Sequence, residues 1–175
     1  MKIAIIGYSG SGKSTLAQIL GEHYNIEVLH LDTVHHLPGW GVRDRSESQK
    51  IVAEFLMAHS DWVIDGTYSK LSFHERMESC DRIVVLRFNR FRCLYRVIKR
   101  YFQYKNSTRP DMAPGCKEKV DSEFAWWVLY KGRGKAQRER FCQIESQYAE
   151  KVTVIKNQKQ LNAFINSIKS VQNQP

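Results

Sequence analysis

Short apolar runs alternate along this chain with stretches whose apolar positions recur every three or four residues. Lys2-Ile3-Ala4-Ile5-Ile6 is a β-branched run that reads as a buried strand. Thr15 to His23 has apolar residues at 16, 19 and 20, the spacing of a helix. Ile26 to Leu31 reads as a second strand ending at Asp32, followed by a polar, glycine-containing loop through Pro38-Gly39-Trp40-Gly41. Ser46 is placed to cap a helix whose apolar positions are Ile51, Val52, Phe55 and Leu56. Asp61-Trp62-Val63-Ile64 is a third strand closed by Asp65-Gly66. A short polar helix is expected around Ser72 to Ser79, then a fourth strand over Arg82 to Leu86. The next helix runs roughly from Arg90 to Tyr104, with Leu94, Val97, Ile98 and Tyr101 on one face.

Asn106 to Gly115 holds Pro110 and Pro114 and cannot be one regular element. Helical spacing returns from about Asp121 to Tyr148, broken near Gly132-Arg133-Gly134. Lys151 to Ile155 is a fifth strand, and the last helix carries Leu161, Phe164, Ile165 and Ile168. The polar tail from Val171 to Pro175 is expected to fray. Strands alternating with helices predict an α/β fold with a parallel sheet covered on both faces. Ligands of such sheets bind beyond the carboxyl ends of the strands.

The most informative stretch lies between the first strand and the first helix. Gly7-Tyr8-Ser9-Gly10-Ser11-Gly12-Lys13-Ser14 fits G-x-x-x-x-G-K-[ST], the phosphate-binding P-loop pattern. Glycines let the main chain approach a phosphate, and the loop amides and helix N-terminus face anionic oxygens there. The reading assigns residues 7–15, through Thr15, to ATP. Lys13 reaches the β- and γ-phosphates, and the Ser14 hydroxyl ligates Mg²⁺. Asp65 at the end of the third strand is either a second Mg²⁺ holder or a turn-forming Asp-Gly pair. Asp32 is either a proton acceptor for an attacking hydroxyl or a cap for the turn after it. His30, His35 and His36 lack helical metal-pair spacing and read as structural or solvated.

At 175 residues the chain fits one domain. No apolar run approaches the length of a membrane span. No secretory signal pattern is present, the loop beginning only seven residues in, so the expected location is cytoplasmic. Cys80, Cys93, Cys116 and Cys142 form no C-x-x-C pair and read as free thiols. The formal net charge is +9, which favours anionic partners. Much of it falls in Arg82–Lys105 and Lys131–Arg140. Arg96 and Arg100, with Arg92, share one helix face and would neutralise a transferring phosphoryl group, or form a solvated or nucleic-acid-binding face. Arg133, in a glycine-flanked break, is placed to swing in with a closing segment. Trp126 and Trp127 cannot share a helix face. Trp126 is read as core, and Trp127 as stacking on a base or covering the site.

Taken together, the chain resembles nucleoside-monophosphate-kinase-type P-loop NTPases. More narrowly, it resembles the adenylate-kinase-related bacterial group of DNA topology modulation proteins (FlaR-like). Gly7 to Thr15, Leu31-Asp32 with Pro38-Gly39-Trp40, and Trp62-Val63-Ile64-Asp65-Gly66-Thr67-Tyr68 carry the resemblance. So do Cys93-Leu94-Tyr95-Arg96 with Lys99-Arg100, Arg109 to Cys116, and Asp121 with Phe124 and Trp127. It implies a five-stranded parallel sheet flanked by helices, in one domain over 1–175, with a small lid at about 104–135. It implies ATP and Mg²⁺ as ligands and phosphoryl transfer to a small molecule of nucleotide or nucleoside type. Arg96 and Arg100 would contact base and phosphates, and Arg133 and Arg138 are candidates for a phosphate clamp. Adenylate kinases continue the third-strand Asp-Gly with Phe-Pro-Arg. Here Thr67-Tyr68-Ser69 follows, Arg76 is the nearest arginine, and AMP as acceptor is in doubt. The alternative implied by the group's name is a regulatory ATP-binding protein associated with nucleic acid.

Overall fold

The computed structural model describes residues 1–105, 107–109 and 111–171. Asn106, Pro110 and residues 172–175 of the tail expected to fray from Val171 lie outside the described residues. The chain runs β1 (Lys2–Gly7), α1 (Lys13–Tyr24), β2 (Glu27–His30), α2 (Leu31–His35), β3 (His36–Leu37), β4 (Gly41–Val42), α3 (Arg45–Ala58) and β5 (Trp62–Asp65). It continues with α4 (Phe73–Ser79), β6 (Arg82–Leu86), α5 (Arg90–Tyr104), α6 (Ser122–Leu129), α7 (Lys135–Gln147), β7 (Val152–Ile155) and α8 (Gln158–Val171).

Five strands form one parallel sheet in the order β2-β5-β1-β6-β7. The β-branched run of β1 occupies the centre because both its faces are covered by helices, and Ile3 to Ile6 are almost fully buried. Register pairs Ile5 with Asp65 and Gly7 with Leu86, so these carboxyl ends lie at one edge. His30 pairs with Asp65 across β2 and β5. The expected five-stranded α/β sheet is therefore present.

Two local expectations shift. α3 is capped by Asp44, whose carboxylate accepts from the amides of Ser46 and Glu47, so the helix starts before Ser46. The stretch after β2 is not a plain loop. It folds into the five-residue α2 and a β3–β4 hairpin turning through Pro38–Trp40. Asp32 thus lies in the first turn of α2 rather than at the end of a strand. The helical stretch from Asp121 divides as expected, at a 3₁₀ turn over Lys131–Arg133.

Arg76 is wholly buried. Its Nε donates to Leu71 O (2.9 Å), Nη1 to Gly66 O (3.3 Å) and Nη2 to Tyr68 O (2.9 Å). Burial lowers its pKa to about 10. The guanidinium therefore shapes the segment after β5 from beneath. Arg76→Leu strands three carbonyls and is expected to cost on the order of 3 kcal/mol in urea unfolding. An unchanged midpoint would refute this scaffold role.

Candidate active site at the carboxyl edge of the sheet

The Gly7–Ser14 loop joins β1 to α1 at this edge. Two of its glycines are required by geometry. Gly10 has φ +73°, and a Cβ there would lie 2.7 Å from Cys93 O of α5. Gly12 has φ +94° and caps α1 without a side chain to offer its amides. The first-turn amides of Lys13, Ser14 and Thr15 are thereby left for an outside acceptor. Ser11 is fully buried, and its Oγ has no partner among the described residues. Tyr8 packs edge-on against Phe141. Lys13 Nζ donates to Tyr8 O at 3.2 Å, folded along the loop.

Below the loop, Ser14 Oγ donates to Asp65 Oδ2 at 2.9 Å. Asp65 Oδ1 lies 2.6 Å from His30 Nδ1, the contact that the β2–β5 register dictates. Burial alone would lower the His30 pKa. The bond to Asp65 and the nearby carboxylates of Asp65, Asp111 and Asp32 outweigh it and raise it above its ordinary value. Ser14 and Asp65 thus place two adjacent oxygen donors beside the loop, the donor type that hard divalent cations take. Among the described residues, no group of three or more His, Cys, Asp or Glu could hold a metal alone. The Thr67 hydroxyl joins the third-strand turn to the loop, exchanging hydrogen bonds with Gly7 N and Gly7 O at 3.1 Å.

Arg96 reaches the loop from α5. It donates to Ser11 O and to Gln158 at the start of α8, with its guanidinium 4.2 Å over the Phe88 ring. Arg133 comes from the 3₁₀ turn and stacks 3.9 Å over the Tyr8 ring. It donates to Val128 O and Phe88 O, both at 2.9 Å, and its buried Nη2 has no partner among the described residues. Arg96 and Arg133 therefore meet the loop from two sides. Arg92 and Arg138 are exposed on their helices and do not join them.

Arg100 turns elsewhere. Its Nε donates to Glu118 Oε1 at 2.8 Å, on the wall of a cleft of about 350 Å³. Ser9 of the loop and Asp32 line the same cleft. Tyr68 donates its hydroxyl to Asp32 Oδ1 at 2.6 Å, the one hydrogen bond of the Asp32 carboxylate among the described residues. Burial and the Asp32 charge push the Tyr68 phenol above its ordinary range, which keeps it a donor. Trp127 lines the cleft. Trp126 does not enter the core. It is 59% exposed and stacks on Tyr130 at 4.3 Å. The reason is that α6 turns Phe124 and Val128, four apart, toward the body, and Trp126 falls on the opposite side.

Sequence reading gave no site role to His30, which bonds Asp65 beside the loop, or to the cleft residues Tyr68, Arg109 and Glu118. For His30 a signal existed in the alignment of two strand ends. The Arg109–Glu118 pairing lies in an irregular segment that has no period to read.

No protein-family model matches the chain, and no curated protein matches it. Among solved structures it is similar to an uncharacterized protein from Eubacterium ventriosum ATCC 27560, at 16% identity and TM-score 0.51, over 99% of this chain and 100% of that one. It is also similar to TT1252 from Thermus thermophilus, at 15% identity and TM-score 0.56, over 98% and 96% of the two chains. At these identities the likeness is one of fold, and the chain shares with them an α/β fold.

Proposed function

We propose that this chain is a P-loop kinase that transfers the γ-phosphoryl group of ATP to a small molecule of nucleotide or nucleoside type. The observation that supports it best is the juxtaposition at one edge of the sheet. A G-x-x-x-x-G-K-S loop enters a helix without a side-chain cap, beside Asp65, and its Ser9 shares a cleft with Asp32.

In this reading the loop amides and the α1 N-terminus bind the phosphates of ATP. Lys13 leaves Tyr8 O for the β- and γ-oxygens. Ser14 and Asp65 would hold Mg²⁺, which neutralises charge on the β- and γ-phosphates when bound. Arg96 and Arg133, already at the loop, stabilise charge on the transferring group. Asp32 orients the acceptor hydroxyl and takes its proton, with Tyr68 fixing the carboxylate. Residues 104–135 act as the lid. Positioning and electrostatics supply most of the rate in such a site. The test is ATP consumption against nucleoside monophosphates, nucleosides and small hydroxylated metabolites. Acceptor-dependent formation of ADP is expected; its absence across the panel would overturn the reading.

One surface favours a second reading, a nucleic-acid-associated ATP-binding protein with little transfer activity. α5 exposes Phe91, Tyr95 and Phe102 in one stripe, with Arg92 and Lys99 exposed beside it. Bases stack on aromatics while basic residues follow the phosphate backbone. Under this reading DNA affinity falls steeply with salt, log K against log [salt] having a slope of about −2 or steeper. No binding, or binding insensitive to salt, removes it.

A further inference from the structure

The cleft beside the loop is walled by charges that cancel one another. On one side stands the Asp32 carboxylate. On the other, Arg100 and Arg109 converge on Glu118, which is 6% exposed. Arg100 Nε lies 2.8 Å from Glu118 Oε1, and Arg109 Nε lies 2.7 Å from Glu118 Oε2. Arg109 Nη1 donates in turn to Asp111 Oδ2 at 2.8 Å. Lys119 remains, 5.5 Å over the Trp40 ring. Three cations on the wall thus meet Asp32 and Glu118, with Asp111 behind the wall on Arg109.

This arrangement disfavours an acceptor that brings its own phosphate. Apart from the Lys119 ammonium, held over Trp40, such a group would have to draw a guanidinium away from Glu118 and leave a buried carboxylate uncompensated. It would also meet the Asp32 charge. Planar walls, by contrast, are ready. Trp40 is fixed by the bond from its Nε1 to Lys117 O at 3.1 Å, and Trp127 lines the same space. The volume of about 350 Å³ lies in the range of small-molecule sites.

We propose that this cleft binds an uncharged, hydroxyl-bearing molecule with a planar ring, of the nucleoside class. Glu118 sets that preference by holding Arg100 and Arg109 away from an acceptor phosphate. The binding half stands on the cleft alone; the transfer half rests on the kinase reading above. In the transfer, the acceptor hydroxyl oxygen bonds to the γ-phosphorus of ATP. The bond from that phosphorus to the β,γ-bridging oxygen breaks, its electron pair leaves on ADP, and the hydroxyl proton passes to the Asp32 carboxylate.

The experiment titrates the wild-type protein, with the glycine loop presaturated by a non-hydrolysable ATP analogue and Mg²⁺, with adenosine, guanosine, cytidine, thymidine and their 5′-monophosphates, following tryptophan fluorescence and calorimetry. At least one nucleoside is expected to bind at least about tenfold more tightly than its monophosphate. Equal or tighter binding of the monophosphate, or no binding by any nucleoside, overturns the proposal. Glu118→Gln frees one positive charge and is expected to narrow or reverse the preference. An unchanged preference in a folded Glu118→Gln protein overturns the role of Glu118. If that variant does not fold, the same role is read from the ratio of monophosphate to nucleoside affinity in Arg100→Gln, which is expected to stay within about threefold of wild type because Glu118 already holds that guanidinium away from a phosphate. A selective loss of monophosphate binding in Arg100→Gln would overturn it. Nucleosides that bind but are never phosphorylated would sink the transfer half while leaving the binding half intact, and the kinase reading falls only if no acceptor of the wider panel yields ADP.

Discussion

Lys13→Ala is expected to cut ATP-dependent phosphoryl transfer by at least about a thousandfold while leaving the unfolding transition nearly in place. The two halves have different physical sources. In the fold, Lys13 makes one hydrogen bond, to Tyr8 O at 3.2 Å, from a half-buried position. Its loss removes about 1 kcal/mol or less. In transfer, the same ammonium is the only side-chain cation supplied by the loop itself, and it would meet the β- and γ-oxygens where charge redistributes. Initial rates of ADP formation and a thermal melt on the same preparation separate the two. Wild-type turnover in the alanine variant would remove the loop from the chemistry and with it the kinase assignment.

Asp32→Asn comes next in size, with an expected loss of about a hundredfold to ten-thousandfold in transfer. The amide keeps an oxygen for the Tyr68 hydroxyl, which now binds Oδ1 at 2.6 Å, so the α2 turn should hold its shape. What the amide cannot do is take a proton from the acceptor. The measurement is kcat with saturating ATP, compared with acceptor affinity. A fall in kcat at nearly constant affinity is expected. Unchanged kcat would make Asp32 a turn residue after all.

Much of the frame was legible in the chain, because a parallel sheet demands apolar strands and the helices between them keep their period. The loop was legible because its glycines answer a backbone requirement, seen at Gly10 where α5 leaves no room for a Cβ. Asp32 was assigned to a strand end because α2 is only five residues long, too short for a period to declare itself. Trp126 misled because hydrophobicity alone points inward, whereas the burial of Val128 decides which side of α6 faces the body. Arg100 was read with Arg96 as one row. Helical spacing put them on a common face, yet Glu118 lies eighteen residues further on, and only the fold of the intervening segment brings it to Arg100. The Ser14–Asp65–His30 chain needed strand register, which spacing along one strand does not contain.

The central position of β1 has a consequence for how the protein is made. β1 is synthesised before either neighbour, and its partners are Trp62–Asp65 on one side and Arg82–Leu86 on the other. All these pairings are parallel and distant in sequence, so loop closure must precede any gain from them. Until β5 has left the ribosome, Ile3-Ala4-Ile5-Ile6 has no strand to pair with, and its other edge stays open until β6 follows, a sticky segment for chaperones to shield. Gly7 meets Leu86 only when that pairing closes. The glycine loop therefore acquires its shape late, and nucleotide capture by a nascent chain would report that the sheet has assembled.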